Sequence, residues 1–343
     1  MINVGLSGFG VAGRILHTPL ILAAGMQVTA VATRRAEEVV AVLPGAAVVA
    51  SHSQLLERDD VDLVVIVTPN HLHASQALEA LRAGKHVVID KPMCVHVAEA
   101  QALIDLARER RVQLSVFHNR RWDSDFLTMA KLIGEGQLGE VVSYAARWDR
   151  YRTEIQDRWK ERPSPGSGLF YDLGPHLIDQ ALCLFGRPEW VQADIFSQRS
   201  GTQVDDGFEL WMGKGRLRIS LGCSSFASDH AFRYRVTGER AAFVKTGLDP
   251  QEDQLRAGMN PLSAVFGDES PENFGTLTIG KDGSSVRIAS ESGRWLTFYE
   301  GIRHSIATGA TVPVPPVEVR GVLEVIEAAV RSSSSGRRMT LSA

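Results

Sequence analysis

Near the start of the chain, Gly8-Phe9-Gly10-Val11-Ala12-Gly13 spells G-x-G-x-x-G after an apolar run and before a helical pattern. Gly8 permits a tight turn, Gly10 lets the backbone approach a pyrophosphate, and Gly13 lets helix and strand pack closely. The helix N-terminus offers unpaired N–H groups to the anion. As a bare pattern the motif also fits an ordinary flexible turn, and its surroundings must decide. An NAD site usually carries Asp or Glu roughly 20 residues after the motif, to hold the ribose 2′-hydroxyl. Here the second strand ends Val31-Ala32-Thr33-Arg34-Arg35. The acid is missing, and two guanidinium groups stand where a 2′-phosphate would lie, an anion that arginine forks suit. Alternatively, Arg34 and Arg35 are exposed residues opening a helix that contains Glu37 and Glu38. Missing acid and present arginines together predict NADP over NAD.

Two further groups could do chemistry. The run "HVVID" leads into Asp90-Lys91-Pro92. A lysine at the carboxyl end of a central strand would face the nicotinamide; the alternative is a solvated lysine at a strand end. Pro92 makes a cis bond accessible at modest cost, which would aim the lysine inward. The second group is the segment Gly168–Asp179, "GLFYDLGPHLID". Pro175 fits best in a first helical turn, which predicts a helix over about 175–185 with Asp172 as its cap. His176 then follows one turn on, on a similar face, and could be a packed histidine and nothing more.

These residues need elements to position them. The first ~120 residues alternate strand and helix, which predicts βαβ units and a parallel sheet. Strands are expected at 2–6, 27–33, 47–50, 61–67, 86–90 and 113–117, with helices at 11–23, 35–42, 73–83 and 97–110. Runs such as "DLVVIVT" have the near-continuous apolar character of strands covered on both faces. The glycine motif therefore sits inside the first βαβ unit, which favours a dinucleotide loop over a plain turn. Ligands bind beyond the carboxyl ends of such strands, so Thr68, Pro69 and Asn70 should border the dinucleotide, with Asn70 starting a helix and His73 on its first turn. His71 and His73 lack a third ligand nearby, so no metal site is expected.

Past residue 120 the pattern changes to long alternating β runs, among them "GFELWM" and "RLRISLGCSSFAS". Little helix intervenes, which predicts an α+β second domain on an open, mainly antiparallel sheet with helices on one face. The expected division is 1–120 and 121–343. Two helices should close the chain, and Ser332–Ser335 before Gly336 reads as a polar loop.

Composition narrows the class. Apolar residues make up 44% of 343, enough for a core in each domain, and the net charge of −3 supplies no basic surface for nucleic acid. Cys94, Cys183 and Cys223 are far apart and form no C-x-x-C pair, so neither zinc nor a disulfide framework is indicated. No basic n-region or cleavage site opens the chain, and its longest apolar stretch is interrupted by polar residues, so a cytoplasmic protein is expected.

Together the motifs identify a resemblance that covers nearly the whole length. The chain resembles the glucose–fructose oxidoreductase/inositol dehydrogenase (Gfo/Idh/MocA) family. It does so through G-F-G-V-A-G, T-P-N-H-L-H, G-K-H-V-V-I-D-K-P, D-L-G-P-H-L-I-D and the closing F-Y-E-G-I-R-H. The family pattern at the fifth strand is Glu-Lys-Pro; this sequence has the shorter Asp90. The segments H-N-R-R-W-D and D-R-Y-R-T-E-I-Q-D-R-W-K-E look most like NADP-dependent scyllo-inositol dehydrogenases.

The resemblance implies an N-terminal Rossmann domain, an NADP(H)-dependent enzyme and hydride transfer at a secondary alcohol or ketone of a cyclitol or sugar. It implies that His176 takes the alcohol proton, that Lys91 stabilises charge on the substrate oxygen, and that Asp172 positions His176 or a neighbouring hydroxyl. Cofactor contacts would come from Gly8–Gly13, Thr33, Arg34, Arg35, Thr68, Pro69, Asn70, His73, Asp90, Lys91 and Asn119. Trp122, Tyr151 and Trp159 could line the substrate pocket. The resemblance further implies a homodimer or homotetramer, since the apolar alternation in the second-domain strands suggests a sheet face buried between subunits. Two other readings share the fold: a nucleotide-binding sensor without chemistry, and a glycoside hydrolase that retains NAD and oxidises transiently. The direction of reaction is left open, so a reductase is also compatible.

Overall fold

A computed structural model describes residues 1–229 and 232–341. The chain forms two compact units. The first comprises Met1–Asn119, Gln251–Phe266 and Arg294–Arg320, and the remaining segments form the second. Two stretches beyond residue 120 thus group with the N-terminal segment. Tertiary packing explains why: on the helix Leu296–Thr308, Phe298, Tyr299 and Ile302 are buried, and Ser115 donates to the carbonyl of Val314 at 2.9 Å.

In the first unit, β1 (Asn3–Ser7), β2 (Gln27–Ala32), β3 (Ala47–Val49), β4 (Leu63–Ile66), β5 (His86–Asp90) and β6 (Leu114–Phe117) form one parallel sheet in the order 3-2-1-4-5-6. The strand order reverses between β1 and β4, whose chains stay parallel, and this makes their carboxyl ends the ligand-binding crevice of a Rossmann fold. Every residue of β4 and β6 is buried, as strands covered on both faces require. The helices are α1 (Thr18–Ala23), α2 (Ala36–Val42), α3 (His52–Leu56), α4 (His73–Arg82) and α5 (Val97–Arg110). A π-helical turn, Ala12–His17, leads into α1. The short α3 was not expected from the sequence; Ser51 caps it by accepting from the Gln54 N–H.

The second unit holds a nine-stranded sheet: β7 (Val141–Arg147), β8 (Trp190–Phe196), β9 (Gly207–Lys214), β10 (Leu217–Ser224), β11 (Tyr234–Gly238), β12 (Ala241–Lys245), β13 (Gly275–Ile279), β14 (Ser285–Ile288) and β15 (Met339–Thr340). Its order is 14-13-12-11-7-10-9-8-15, and β7–β10 is the parallel pair among otherwise antiparallel neighbours. The unit's helices include α6 (Ser124–Gly134) and α7 (Leu169–Phe185), while the late helices are α8 (Gln251–Arg256), α9 (Leu296–Thr308) and α10 (Pro316–Ser335).

Three sequence expectations need correction. The helix expected from about Pro175 begins six residues earlier, so Asp172 lies inside its first turns and is not its cap, and Pro175 lies in its interior. Asp205 explains the early start: its carboxylate accepts the Phe170 N–H at 2.6 Å and its carbonyl the Leu169 N–H at 3.0 Å. Ser332–Ser335 is the last stretch of α10, not a loop. There Ser332 and Ser333 accept the N–H groups of Ala193 and Ile195, and Ser335 donates to the Arg331 carbonyl; Gly336, at φ 64°, stops the helix. Finally, the apolar alternation of β9 and β10 is satisfied within the subunit. Phe208, Leu210, Met212, Ile219 and Leu221 are buried, and Phe170 of α7 packs edge-on against Phe208 at 5.1 Å. The opposite face carries Glu209, Arg218, Arg235 and an exposed Trp211, so it is mixed and not apolar.

Behind the sheet, Lys245 and Glu269 form an ion pair at 2.6 Å with side chains 0% and 1% exposed. Lys245 also donates to the Thr246 carbonyl, and Ser290 donates to Glu269. Burial pushes the Glu269 carboxyl up, against the pull of Lys245 and Ser290.

Candidate active site

The glycine loop fits a dinucleotide by a test independent of its pattern. A Cβ on Gly8, whose φ is 102°, would meet the Val67 carbonyl oxygen at 2.9 Å, and one on Gly13 would meet the Gly8 oxygen at 2.9 Å. A Cβ on Gly10 would meet nothing within 4 Å. The first and third glycines are thus forced by close packing, while the second faces open space where a phosphate can reach the backbone. Phe9 is buried and Val11 exposed, with Ala12 between.

At the end of β2 the two arginines part company. Arg35 pairs with Glu38 at 3.3 Å, and Glu38 also takes Arg14 at 2.8 Å. Arg34 is exposed and has no ion pair among the described residues. The Thr33 hydroxyl accepts the Arg35 N–H at 3.1 Å and shapes that turn.

Beyond β4, Thr68 donates to Gln76 at 2.7 Å, and Pro69 leads into a short 3₁₀ turn, Asn70–Leu72, in which Asn70 is buried. His73 is 1% exposed. Its two ring nitrogens lie 2.7 and 2.8 Å from the carbonyls of Pro92 and Thr68. It therefore ties the ends of β4 and β5 together and has no nitrogen left for a ligand. Burial pushes its pKa below the ordinary histidine value, against the pull of those carbonyls and of Asp90. Lys91, half-buried, follows β5, and the Lys91–Pro92 peptide is cis. Asn119, 4% exposed, follows β6.

Sequence reasoning missed the neighbours of Asp90. Its carboxylate accepts the Lys91 N–H at 2.9 Å and lies 3.8 Å from Nε2 of the fully buried His17. Nδ1 of His17 is hydrogen-bonded to the Tyr299 hydroxyl at 2.5 Å, and the rings of Phe117 and Phe298 complete the cluster. Burial alone would push the Asp90 carboxyl up, but His17, Lys91 and His73 outweigh it and hold it at about 2. No short-range signal links residues 17, 90 and 299, although Tyr299 belongs to the F-Y-E-G-I-R-H motif.

In the second unit, Asp172 and His176 lie one turn apart on α7. Asp172 accepts a hydrogen bond from Lys160 and lies 3.9 Å from Arg150. The ring of His176, 6% exposed, packs against that of Trp148 at 5.6 Å. Trp148 also carries the guanidinium groups of Arg120, Arg150 and Arg233 at 4.7, 5.7 and 5.0 Å from its centroid. A buried polar network anchors α7 behind His176. Arg121 makes a two-pronged pair with Asp179, while Gln180 donates to the Arg120 carbonyl and accepts from Arg233 and Tyr234.

The cleft in this unit is lined by Asp172 together with Arg150, Arg152, Arg158, Lys160 and Arg199. Trp122, Tyr151 and Trp159, expected to line the substrate pocket, are absent from its wall. Tyr151 is 62% exposed, because it alternates with Arg150 and Arg152 along the strap and so points away from them. Arg150 and Arg152, which flank Tyr151, line the cleft.

A parallel sheet in Rossmann order with a glycine-loop phosphate cradle defines a nucleotide-binding enzyme domain. Residues 2–118 match the family model described as the oxidoreductase family NAD-binding Rossmann fold. Residues 130–341 match the oxidoreductase family C-terminal alpha/beta domain. The chain belongs to the Gfo/Idh/MocA oxidoreductase family and binds NAD(P) through its first domain. It is similar to scyllo-inositol 2-dehydrogenase (NADP(+)) IolW of Bacillus subtilis, at 40% identity over 99% of this chain and 96% of that one. It is also similar to the oxidoreductase YdgJ of Escherichia coli, at 38% identity over 97% and 96% of the two chains. The solved structure of the oxidoreductase yvaA from Bacillus subtilis superposes with a TM-score of 0.96 at 40% identity, covering 99% of this chain and 98% of that one. Among the described residues no helix is long and apolar enough to cross a membrane.

Proposed function

We propose that the chain is an NADP(H)-dependent oxidoreductase acting on a secondary alcohol or ketone of a cyclitol or sugar. The observation that carries this reading is the open space over Gly10 in a loop whose outer glycines are packed tight. Full-length similarity to an NADP-dependent cyclitol dehydrogenase supports it. A bound nicotinamide supplies or accepts the hydride. Gly8–Gly13 would hold the pyrophosphate, Arg34 the 2′-phosphate, and the backbone at Thr68–Asn70 and Asn119 would border the dinucleotide. Lys91 would donate a hydrogen bond to the substrate oxygen and stabilise the charge that grows there. Asp90, whose carboxylate accepts the Lys91 N–H, would hold the turn that carries Lys91. His176 would take the alcohol proton in oxidation and return it in reduction. Asp172, Thr33 and His73 would act as positioning residues. A spectrophotometric screen of cyclitols and aldoses with both nicotinamides tests the reading: turnover with none of them would sink it.

Cofactor preference follows from Arg34. The wild-type enzyme is expected to have a higher kcat/KM with NADP than with NAD. Arg34→Ala should raise KM for NADP about tenfold, the weight of one charge-assisted phosphate contact, and leave NAD use nearly unchanged. Equal or better use of NAD by the wild-type enzyme would overturn the preference.

A homodimer or homotetramer is proposed as well, built on the mixed outer face of the large sheet around Trp211. Aromatic and arginine side chains on one exposed face suit an interface. Light scattering at micromolar concentration should give a multiple of 37.5 kDa; a monomer mass would refute it.

A further inference from the structure

The chain as a whole carries a net charge of −3, yet the cleft beside Asp172 is basic. Five cationic side chains line it: Arg150, Arg152, Arg158, Lys160 and Arg199. Three carboxylates do so, those of Asp172, Glu161 and Asp205. Glu161 is taken up by Arg199 at 2.7 Å, with Arg158 at 3.8 Å, and Asp172 by Lys160. Asp206 adds a second anchor for Arg199 at 3.0 Å, from behind the wall. Cations still outnumber carboxylates when Asp206 is included. Burial pushes the Asp205 carboxyl up to about 6, against the pull of the N–H groups it accepts, so the excess grows as the solution turns acidic.

The arrangement is built, not scattered. Arg150 and Arg152 come in on a strap whose backbone is pinned to the end of β10, with their N–H groups donating to the carbonyls of Ser224 and Ser225 at 2.9 and 2.8 Å. Alternation along that strap turns both side chains the same way. Arg150 is propped on the Trp148 ring, the same ring against which His176 packs. The cationic wall therefore adjoins the helix face that carries the proposed base. A neutral polyol asks for mixed donors and acceptors, since each hydroxyl both donates and accepts; guanidinium and ammonium groups only donate. A wall rich in pure donors with fixed forks matches an oxyanion.

We propose that the substrate of this site is an acidic sugar or cyclitol, bearing a carboxylate or phosphate that the Arg150/Arg152/Lys160 wall receives while the neighbouring carbinol is presented to His176. This rests on the oxidoreductase reading above and narrows its substrate class.

The test is steady-state kinetics of the full-length enzyme with NADP+ against three sets of compounds at equal concentration. Neutral compounds are scyllo-inositol, myo-inositol and glucose; carboxylates are glucuronate and galacturonate; phosphates are glucose 6-phosphate and an inositol monophosphate. The best acidic compound is expected to exceed the best neutral one in kcat/KM by at least about tenfold, the weight of one charge-assisted contact. Which acidic set wins tells carboxylate from phosphate. Its KM should rise with added salt, as a contact between charges requires. Arg152→Ala should collapse the acid-to-neutral preference through KM with kcat held, and Arg152→Lys should restore part of it. Neutral compounds turned over as well as or better than every acidic one would overturn the proposal and leave the oxidoreductase reading standing. No turnover of any compound with either nicotinamide would remove both.

Discussion

Replacing His176 with alanine is expected to lower kcat for alcohol oxidation by about 10²–10⁴-fold, the range for loss of a general base. Binding of NADP(H) should be nearly unaffected, because the glycine loop and Arg34 belong to the first unit and His176 to the second. The variant should fold. His176 sits inside α7, where alanine is the best helix former, and the helix keeps its anchors at Asp179 and Gln180. The ionisation that limits wild-type kcat/KM on the acid side should vanish from the variant's pH profile. Lys91→Ala should cost at least as much, since it removes the group that stabilises charge on the substrate oxygen. A purely packing role forecasts something else: losing the stack on Trp148 would lower the Tm and leave turnover largely intact. A folded, NADP-binding His176→Ala enzyme with near-normal kcat would therefore remove His176 from the mechanism.

The largest effect on stability is expected at Lys245. Lys245→Met leaves Glu269 buried with its cation gone, and breaking a buried pair from one side costs about 3–5 kcal/mol. The urea midpoint should fall accordingly. The deficit should also depend on pH in a definite sense. Burial already pushes the Glu269 carboxyl up in the wild-type chain, and removing Lys245 takes away the largest opposing pull. An acid whose folded pKa is raised loses stability as pH rises through that value. The variant should therefore recover part of its loss as the solution is acidified from neutrality toward the ordinary glutamate range. Lys245→Met combined with Glu269→Leu removes both charges and should be far closer to wild type than the single variant. A single variant as stable as wild type would show that water reaches this pair.

How much of this was legible beforehand depends on how far apart in the chain the interacting residues lie. β5 was read to the residue at His86–Asp90, and the other five strands of the first sheet within about two residues of their ends, because apolar periodicity is local. Hairpins such as β9–β10 were legible through Gly213-Lys214-Gly215 for the same reason. The start of α7 was missed because it depends on Asp205, some 35 positions away. The orientation of the strap was not legible for the same reason: its alternation is fixed by pairing with residues 224–226, which puts Arg150 and Arg152 on the wall of the cleft and Tyr151 away from it. The serines at 332–335 read as a loop because nothing in their own neighbourhood announces that β8 will supply N–H donors to them.

By itself, then, the sequence determined a glycine loop between strand and helix, a parallel alternation ahead of an antiparallel one, an arginine pair in place of an acid, and a lysine at a strand end. Each is a matter of spacing within one or two elements, where backbone sterics and side-chain periodicity act alone. Only the tertiary structure decided that residues 251–266 and 294–320 join the first unit, that Tyr299 grips His17 across 282 positions beside Asp90, and that Arg34 stays open while Arg35 is taken by Glu38. Only it showed that the cleft beside Asp172 is walled by cations. Those outcomes are set by which buried surfaces and charges find one another after the chain has closed long loops, and no local pattern encodes that choice.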